Sequence, residues 1–292
     1  MSYETLDVPV DGGTLRVGRW TATDPQAPVV LAAHGVTANH RCWALVAEQN
    51  QVSVLAPDLR GRGRSADLVG AAGMARHAAD LLAVVDTLGL ERVCLAGHSM
   101  GGFVVTEFAR AHPERVAGAL LIDGGLPLPE VPHGVTPEQA LAATIGPAAD
   151  RLTMTFASQA AYLEFWRGHP AVGPAWSPAI EDYLTYDVVG DPPDCRSCVS
   201  LDAVTDDSRD LLDPGPVEVA ARALPACSVF LRAPAGLLAE PGGLYPPDLF
   251  AAHRESYPDL DLREVEDVNH YTIVLGEGAK TVSQTLREVA AR

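Results

Sequence analysis

The sequence predicts an α/β fold: a mostly parallel central sheet with helices on both faces and an inserted helical segment. Three observations predict it. Short apolar runs alternate with stretches of helical periodicity over 28–122 and again over 217–291. The run Cys94-Leu95-Ala96 passes through Gly97-His98-Ser99-Met100-Gly101 straight into a helix-like run, a strand–turn–helix order. Residues 126–213 then break the rhythm, with many prolines, several aromatics and little strand character.

The elements follow in chain order. Thr5 to Val10 and Thr14 to Trp20 alternate around Asp11-Gly12-Gly13, a hairpin signal. Pro28 to Ala33 is a buried strand that ends in His34-Gly35, and Val52 to Ala56 is another, followed by the loop Pro57 to Ser65. Met74 to Leu88 has Ala78, Leu81, Leu82, Val85 and Leu88 on one helical face. Arg92 to Ala96 reads as a strand, Phe103 to Ala111 as a helix and Val116 to Ile122 as the next strand. Uninterrupted apolar runs of this kind suit strands covered on both faces.

The segment 126–213 is expected to be a helical cap, with helices at Leu141 to Thr144 and Ala160 to Trp166. Its aromatics and apolar helices argue against a disordered linker. The rhythm resumes with a helix at Val217 to Ala223, a strand at Ser228 to Arg232, a helix at Asp248 to Ser256 and a strand at Leu260 to Val265. A loop, Glu266 to Tyr271, and a helix over 279–291 close the chain. The expected division is therefore a core of 1–125 and 214–292 with the cap between.

Length and charge bound the function classes. A chain of 292 residues suits one large α/β domain with an insertion, or two small domains. A net charge of −17 argues against nucleic acid and anionic membrane surfaces as partners, because phosphate binding needs a basic face. Arg60-Gly61-Arg62-Gly63-Arg64 is one short basic run in an acidic chain and reads as the loop after a strand. Met1-Ser2-Tyr3-Glu4 is not a basic region before an apolar run, so the expectation is no signal peptide, no membrane span and a cytoplasmic protein. Five scattered cysteines suggest free thiols. Cys195 and Cys198 form a lone Cys-x-x-Cys without further ligands at zinc-finger spacing, so no metal is expected. With no nucleotide-binding glycine pattern, no cofactor is expected either. The oligomeric state is not legible.

Gly97-His98-Ser99-Met100-Gly101 fits the G-x-S-x-G nucleophile elbow in the context that motif requires. So sharp a turn forces its central residue into a strained backbone conformation and lifts the Ser99 hydroxyl out of the sheet. The helix that starts beneath offers free N–H groups and a partial positive charge, with Met100 N–H the natural first donor to an oxyanion.

Taken with His34-Gly35, Arg60-Gly61-x-Gly63-x-Ser65 and His270 after the last strand, the chain resembles the α/β-hydrolase fold superfamily over nearly its whole length. The resemblance implies Ser99 as nucleophile and His270, in the last loop after Asn269, as its base. It implies Val36 N–H, just after His34-Gly35, as the second oxyanion donor. His34 is expected to shape its turn and His98 to pack locally. The acid departs from the usual pattern. Where most members carry an Asp after the strand Ser228 to Arg232, this chain has Gly236, and the first carboxylate downstream is Glu240. Asp123, in Ile122-Asp123-Gly124-Gly125, is the favoured acid, because one haloalkane dehalogenase subgroup and the zearalenone-type lactonases are similar in placing theirs there. Glu240 is the alternative, and Asp267 reads as a surface carboxylate.

Dehalogenases and epoxide hydrolases of this fold use Asp at the elbow, so Ser99 points to acyl transfer to water. The expected activity is hydrolysis of a small apolar ester, with lactones favoured. Alternatives are C–C bond hydrolysis or peroxyacid formation on the same residues, or a non-catalytic receptor on this scaffold. Trp166, Trp176, Tyr183 and Tyr186 are expected to wall the substrate pocket or to form the cap's own core.

Overall fold

A computed structural model describes residues 1–49, 51–131, 134–136, 139–140 and 150–291. Strands β1 (Ser2–Val10) and β2 (Gly13–Thr21) form the expected hairpin, paired antiparallel from Ser2 opposite Thr21 to Val10 opposite Gly13. The strands β3 (Val29–Ala33), β4 (Ser53–Pro57), β5 (Val93–His98), β6 (Val116–Ile122), β9 (Val229–Arg232) and β10 (Asp261–Glu264) continue the sheet. Among the described residues its order is β1-β2-β4-β3-β5-β6-β9-β10. β2 meets β4 antiparallel, and every pairing from β4 to β10 is parallel. Val30 to Ala33, Val54 to Ala56 and Val93 to Ala96 are buried, as strands covered on both faces must be.

The covering helices carry the apolar stripes read from the sequence. In α2 (Met74–Thr87), Ala78, Leu81 and Val85 are buried, while Leu82 and, just past the helix end, Leu88 are half-buried against the core. The short α1 (Ala44–Glu48) follows β3, and α3 (Met100–Ala111) follows β5. At the far end of the chain lie α7 (Pro214–Ala221), α8 (Pro247–Ser256), the four-residue α9 (Thr272–Leu275) and α10 (Ala279–Ala290).

Between β6 and β9 the chain forms α4 (Gln159–Arg167), α5 (Pro178–Asp187), a two-stranded ribbon of β7 (Val188–Val189) and β8 (Arg196–Ser197), and α6 (Leu201–Leu211). The helix expected at Leu141 to Thr144 lies outside the described residues. α5 and α6 are additions to the sequence reading. α5 begins with Ser177 accepting from Ile180 N–H and proline at the first helical position, a start signal present in the sequence. α6 buries Asp207 and Ser208 beside Ala203, Val204 and Leu211, so its inward face mixes polar with apolar side chains.

This segment docks on the loops that follow β3 and β4. Asn39 Nδ2 donates to the Tyr183 carbonyl at 3.2 Å, Ser200 N–H to the Gly61 carbonyl at 2.8 Å, and Gly73 N–H to Asp207 Oδ1 at 2.7 Å. No helix among the described residues is long and apolar enough to cross a membrane.

Candidate active site

At the end of β5 the chain turns through Ser99, with φ 55° and ψ −126°, and α3 begins at the next residue. Close backbone packing holds this conformation. A Cβ on Gly101 would lie 2.0 Å from the Ala33 carbonyl oxygen, and one on Gly124 would lie 2.0 Å from that of Ser99. Only glycine lets β3, the elbow and the chain after β6 approach so closely. Ser99 N–H donates to the Ile122 carbonyl at 2.9 Å, which ties the elbow to β6.

The end of β6 carries the second strained residue, Asp123, with φ 46°. Its carboxylate is fully buried. Oδ1 accepts from Ala233 N–H at 3.1 Å, and Oδ2 lies 2.7 Å from His270 Nδ1. His270 is held from three sides. Its N–H donates to the Ala235 carbonyl at 3.0 Å, and its own carbonyl lies 2.8 Å from His98 Nε2. Asn269 next door accepts from Tyr271 and Thr272 N–H and donates to the Ala171 carbonyl. Glu240 stays in its own exposed loop, where its carboxylate accepts from Leu238 N–H at 2.8 Å. That carboxylate occupies the space a side chain at Gly236 would need. Asp267 is exposed.

The loop after β3 is the third component. His34 Nε2 accepts from Leu59 N–H at 3.0 Å, so Nδ1 carries the proton, 2.8 Å from the Gly35 carbonyl. Burial holds this imidazole down to about 3, so it stays neutral and shapes the turn. Two buried arginines grip the next two carbonyls. Arg62 Nε donates to the Val36 carbonyl at 2.8 Å and pairs with Asp207 of α6 at 2.6 Å. Arg151 donates to the Thr37 carbonyl at 2.7 Å and pairs with Asp187 of α5 at 3.4 Å. The helical segment thus helps fix the loop that carries Val36. Neither Val36 N–H nor Met100 N–H donates to another group among the described residues. The glycine-rich basic run is therefore internal at two of its arginines: Arg60, paired with Asp80 at 2.9 Å, is buried like Arg62.

A family model described as alpha/beta hydrolase fold matches residues 28–146, the stretch from β3 past the elbow and Asp123. The chain has the α/β-hydrolase fold, and the match to that family's model is confined to this stretch. It is 35% identical over 148 residues to Epoxide hydrolase A of Mycobacterium tuberculosis, covering 47% of this chain and 43% of that one. It is 35% identical over 115 residues to Lipase LipV of the same organism, covering 39% of this chain and 43% of the relative. The chain thus spans less than half the length of these relatives. Among solved structures, E-2-(acetamidomethylene)succinate hydrolase superposes with a TM-score of 0.78 at 20% identity, over 98% of this chain and 99% of that one, a likeness of fold.

Within this α/β-hydrolase fold, Ser99, His98, His270 and Val36 line one small cavity of about 30 Å³, room for a water or two. Ser99 Oγ makes no hydrogen bond among the described residues; hydrogen bonds to a nucleophile are often long in an empty site and tighten with substrate. Of the four aromatics expected to wall a pocket, Tyr183 lines this cavity, and the other three do not. Trp166 is buried under Arg151, whose Cζ lies 5.1 Å from its ring. Trp176 stacks beneath Arg167 at 3.9 Å and donates to Glu181 at 3.0 Å. Tyr186 donates to buried Asp58 at 2.8 Å. Each has a polar partner that holds it elsewhere.

Tyr271, Val274, Leu275, Leu237 and Cys42 also line the cavity, with Gly35, Thr37 and Ala38 of the loop after β3. The apolar run Tyr271 to Leu275, straight after His270, was the signal for the first three. An open cleft of about 1090 Å³ shares Leu275 with the cavity and is lined by Tyr3, Trp20, Ser177, Pro178 and the ion pair of Arg41 with Asp182 at 3.1 Å. Cys198 Sγ donates to Asp187 at 3.3 Å, and both Cys195 and Cys198 are buried free thiols. No cluster of metal-ligand type occurs among the described residues.

Proposed function

We propose that the chain is a serine hydrolase of carboxylic esters, with lactones as a favoured subset. The observation that carries this reading is the 2.7 Å contact between the buried Asp123 carboxylate and Nδ1 of His270, which lines the same cavity as Ser99. A carboxylate only accepts, so it keeps the proton on Nδ1 and leaves Nε2 as the lone pair toward the cavity. In the proposed sequence Nε2 takes the Ser99 proton as Oγ attacks the acyl carbon. The carboxylate of Asp123 stabilises the imidazolium, and Val36 and Met100 N–H receive the oxyanion. His270 then protonates the leaving alcohol, and an acyl group remains on Ser99. A water enters, loses its proton to His270 and releases the acid in the same way.

Serine at the elbow favours this over the epoxide and halide chemistry named for some relatives, and the likeness to Lipase LipV points the same way. The preference for lactones rests on the resemblance in the position of Asp123. The cleft beside Leu275 would give the substrate its route.

A fluorophosphonate probe and a panel of p-nitrophenyl esters and simple lactones test the proposal. Wild type should turn over members of the panel and take one label, on Ser99. Ser99→Ala should lose at least about 10³ in kcat, since removing a nucleophile leaves only binding and oxyanion stabilisation. A variant retaining more than about a tenth of wild-type kcat would overturn the serine mechanism.

A further inference from the structure

Of the two ring nitrogens of His98, one has a hydrogen-bond partner among the described residues and the other has none. Nε2 lies 2.8 Å from the backbone carbonyl of His270. A carbonyl oxygen can only accept, so Nε2 carries the proton and Nδ1 presents a lone pair. Burial, reinforced by the neighbouring His270, holds the imidazole well below its usual range, so the ring stays neutral and the tautomer is set. Nδ1 itself is buried and has no partner among the described residues. A buried acceptor left unpaired costs free energy unless something donates to it.

The residue that carries the orphaned nitrogen is part of the site's wall. His98 and Ser99 line the same cavity. A Cβ placed on Gly35 would sit 3.6 Å from Ser99 Oγ and 3.9 Å from His98 Nδ1. Ser99 Oγ and His98 Nδ1 therefore both lie close to the same backbone position, Gly35. An acyl group attacked by Ser99 would bring its own substituents within reach of Nδ1.

We propose that His98 Nδ1 is a hydrogen-bond acceptor for the substrate. The site takes acyl compounds that carry an O–H or N–H donor next to the scissile carbonyl, of the 2-hydroxyacyl or 2-amidoacyl class. This rests on the ester-hydrolase reading and narrows it from apolar acyl groups in general.

The test uses two esters of one shape, phenyl 2-hydroxybutanoate and phenyl 2-methylbutanoate, which place a hydroxyl and a methyl at the same carbon. Each is measured as separate enantiomers, with hydroxide-catalysed hydrolysis as the reference for intrinsic reactivity. Wild type should favour one enantiomer of the hydroxy ester by at least about tenfold in kcat/KM beyond that reference, because a site built to pair a hydroxyl discriminates strongly. His98→Phe should bring the ratio back to the reference. A displaced His270 slows both esters alike and cancels in the ratio, so a merely structural His98 would leave it unchanged. His98→Asn sets an amide oxygen near the place of Nδ1 while giving up the bond to His270; it should slow both esters and keep the preference. Calorimetry on Ser99→Ala supplies the readout that needs no turnover: the hydroxy ester should bind at least about tenfold more tightly than the methyl ester. Equal binding, binding of neither, or a ratio that His98→Phe leaves unchanged overturns the proposal. A binding preference without turnover of either ester by wild type would overturn the ester reading and leave the acceptor standing.

Discussion

Asp123 and Glu240 show how far a single residue's role depends on its neighbours. Both are carboxylates within reach of the last loop by sequence. One is fully buried with its two oxygens committed to Ala233 N–H and His270 Nδ1, and the other is exposed and turned back on Leu238 N–H. Replacing an orienting aspartate by asparagine keeps the shape but permits the wrong imidazole tautomer, a change worth about 10⁴ in kcat in the serine-protease case. Asp123→Asn should therefore lose at least about 10² in kcat, and Glu240→Gln should stay within about tenfold of wild type. Steady-state rates of the two variants on one ester at the pH optimum check this. An inactive Glu240→Gln beside an active Asp123→Asn would reverse the assignment.

At the scale of the element, the helices between β6 and β9 touch the candidate site through polar groups as well as through Tyr183. Asp207 on α6 and Asp187 on α5 each hold a buried arginine, and each arginine holds a carbonyl of the Val36–Thr37 loop. The tryptophan of α4 serves a different purpose. Trp166 is 2% exposed and lies away from the cavity, while Tyr183 lines it. Trp166→Ala should cost about 3–5 kcal/mol of stability, the range for a buried large aromatic, with ester preference unchanged. Tyr183→Ala should alter KM and preference across the same panel. Urea melts beside a substrate panel separate the two outcomes. Changed preference in a stable Trp166→Ala protein would put that ring against the substrate after all.

For the whole molecule, the buried histidines set the response to acid. Burial holds His34 to about 3; burial, then Arg151, holds His169 to about 4; and burial, then His270, holds His98 well below its usual range. In the unfolded chain each takes a proton below about 6.5. Between there and the folded values the unfolded state binds more protons, so stability falls as pH falls. Well inside that window His34 alone contributes about 1.4 kcal/mol per pH unit. Asp58 adds to this lower down. Its burial favours the neutral carboxyl, but hydrogen bonds from His40 and Arg64 N–H prevail and hold it to about 2. Its contribution is present above about 4 and lost as pH drops toward 2. Urea midpoints should decline steadily from pH 6.5 to 4.5. A flat profile there would mean that these rings accept protons in the folded state.

The eight strands of the large sheet and the helices α2, α3, α4, α7, α8 and α10 were legible in the sequence alone, because periodicities of two and 3.6 residues are local and survive without knowledge of the partners. The elbow at Ser99 was legible for the same reason: its strand, the glycines at 97, 101 and 102 and its helix form one continuous stretch, Val93 to Ala111. His270 could be named by its place after the last strand. α6 was hidden because its buried face includes Asp207, a carboxylate whose partners Arg62, His77 and Gly73 N–H lie far away in the chain. Tertiary structure decided which carboxylate meets His270, which aromatic reaches the cavity and which nitrogen of His98 is left unpaired. It also decided that two arginines of a basic-looking loop lie inside. These are contacts between residues far apart in the chain, set by the way the layers pack, and no local pattern encodes them.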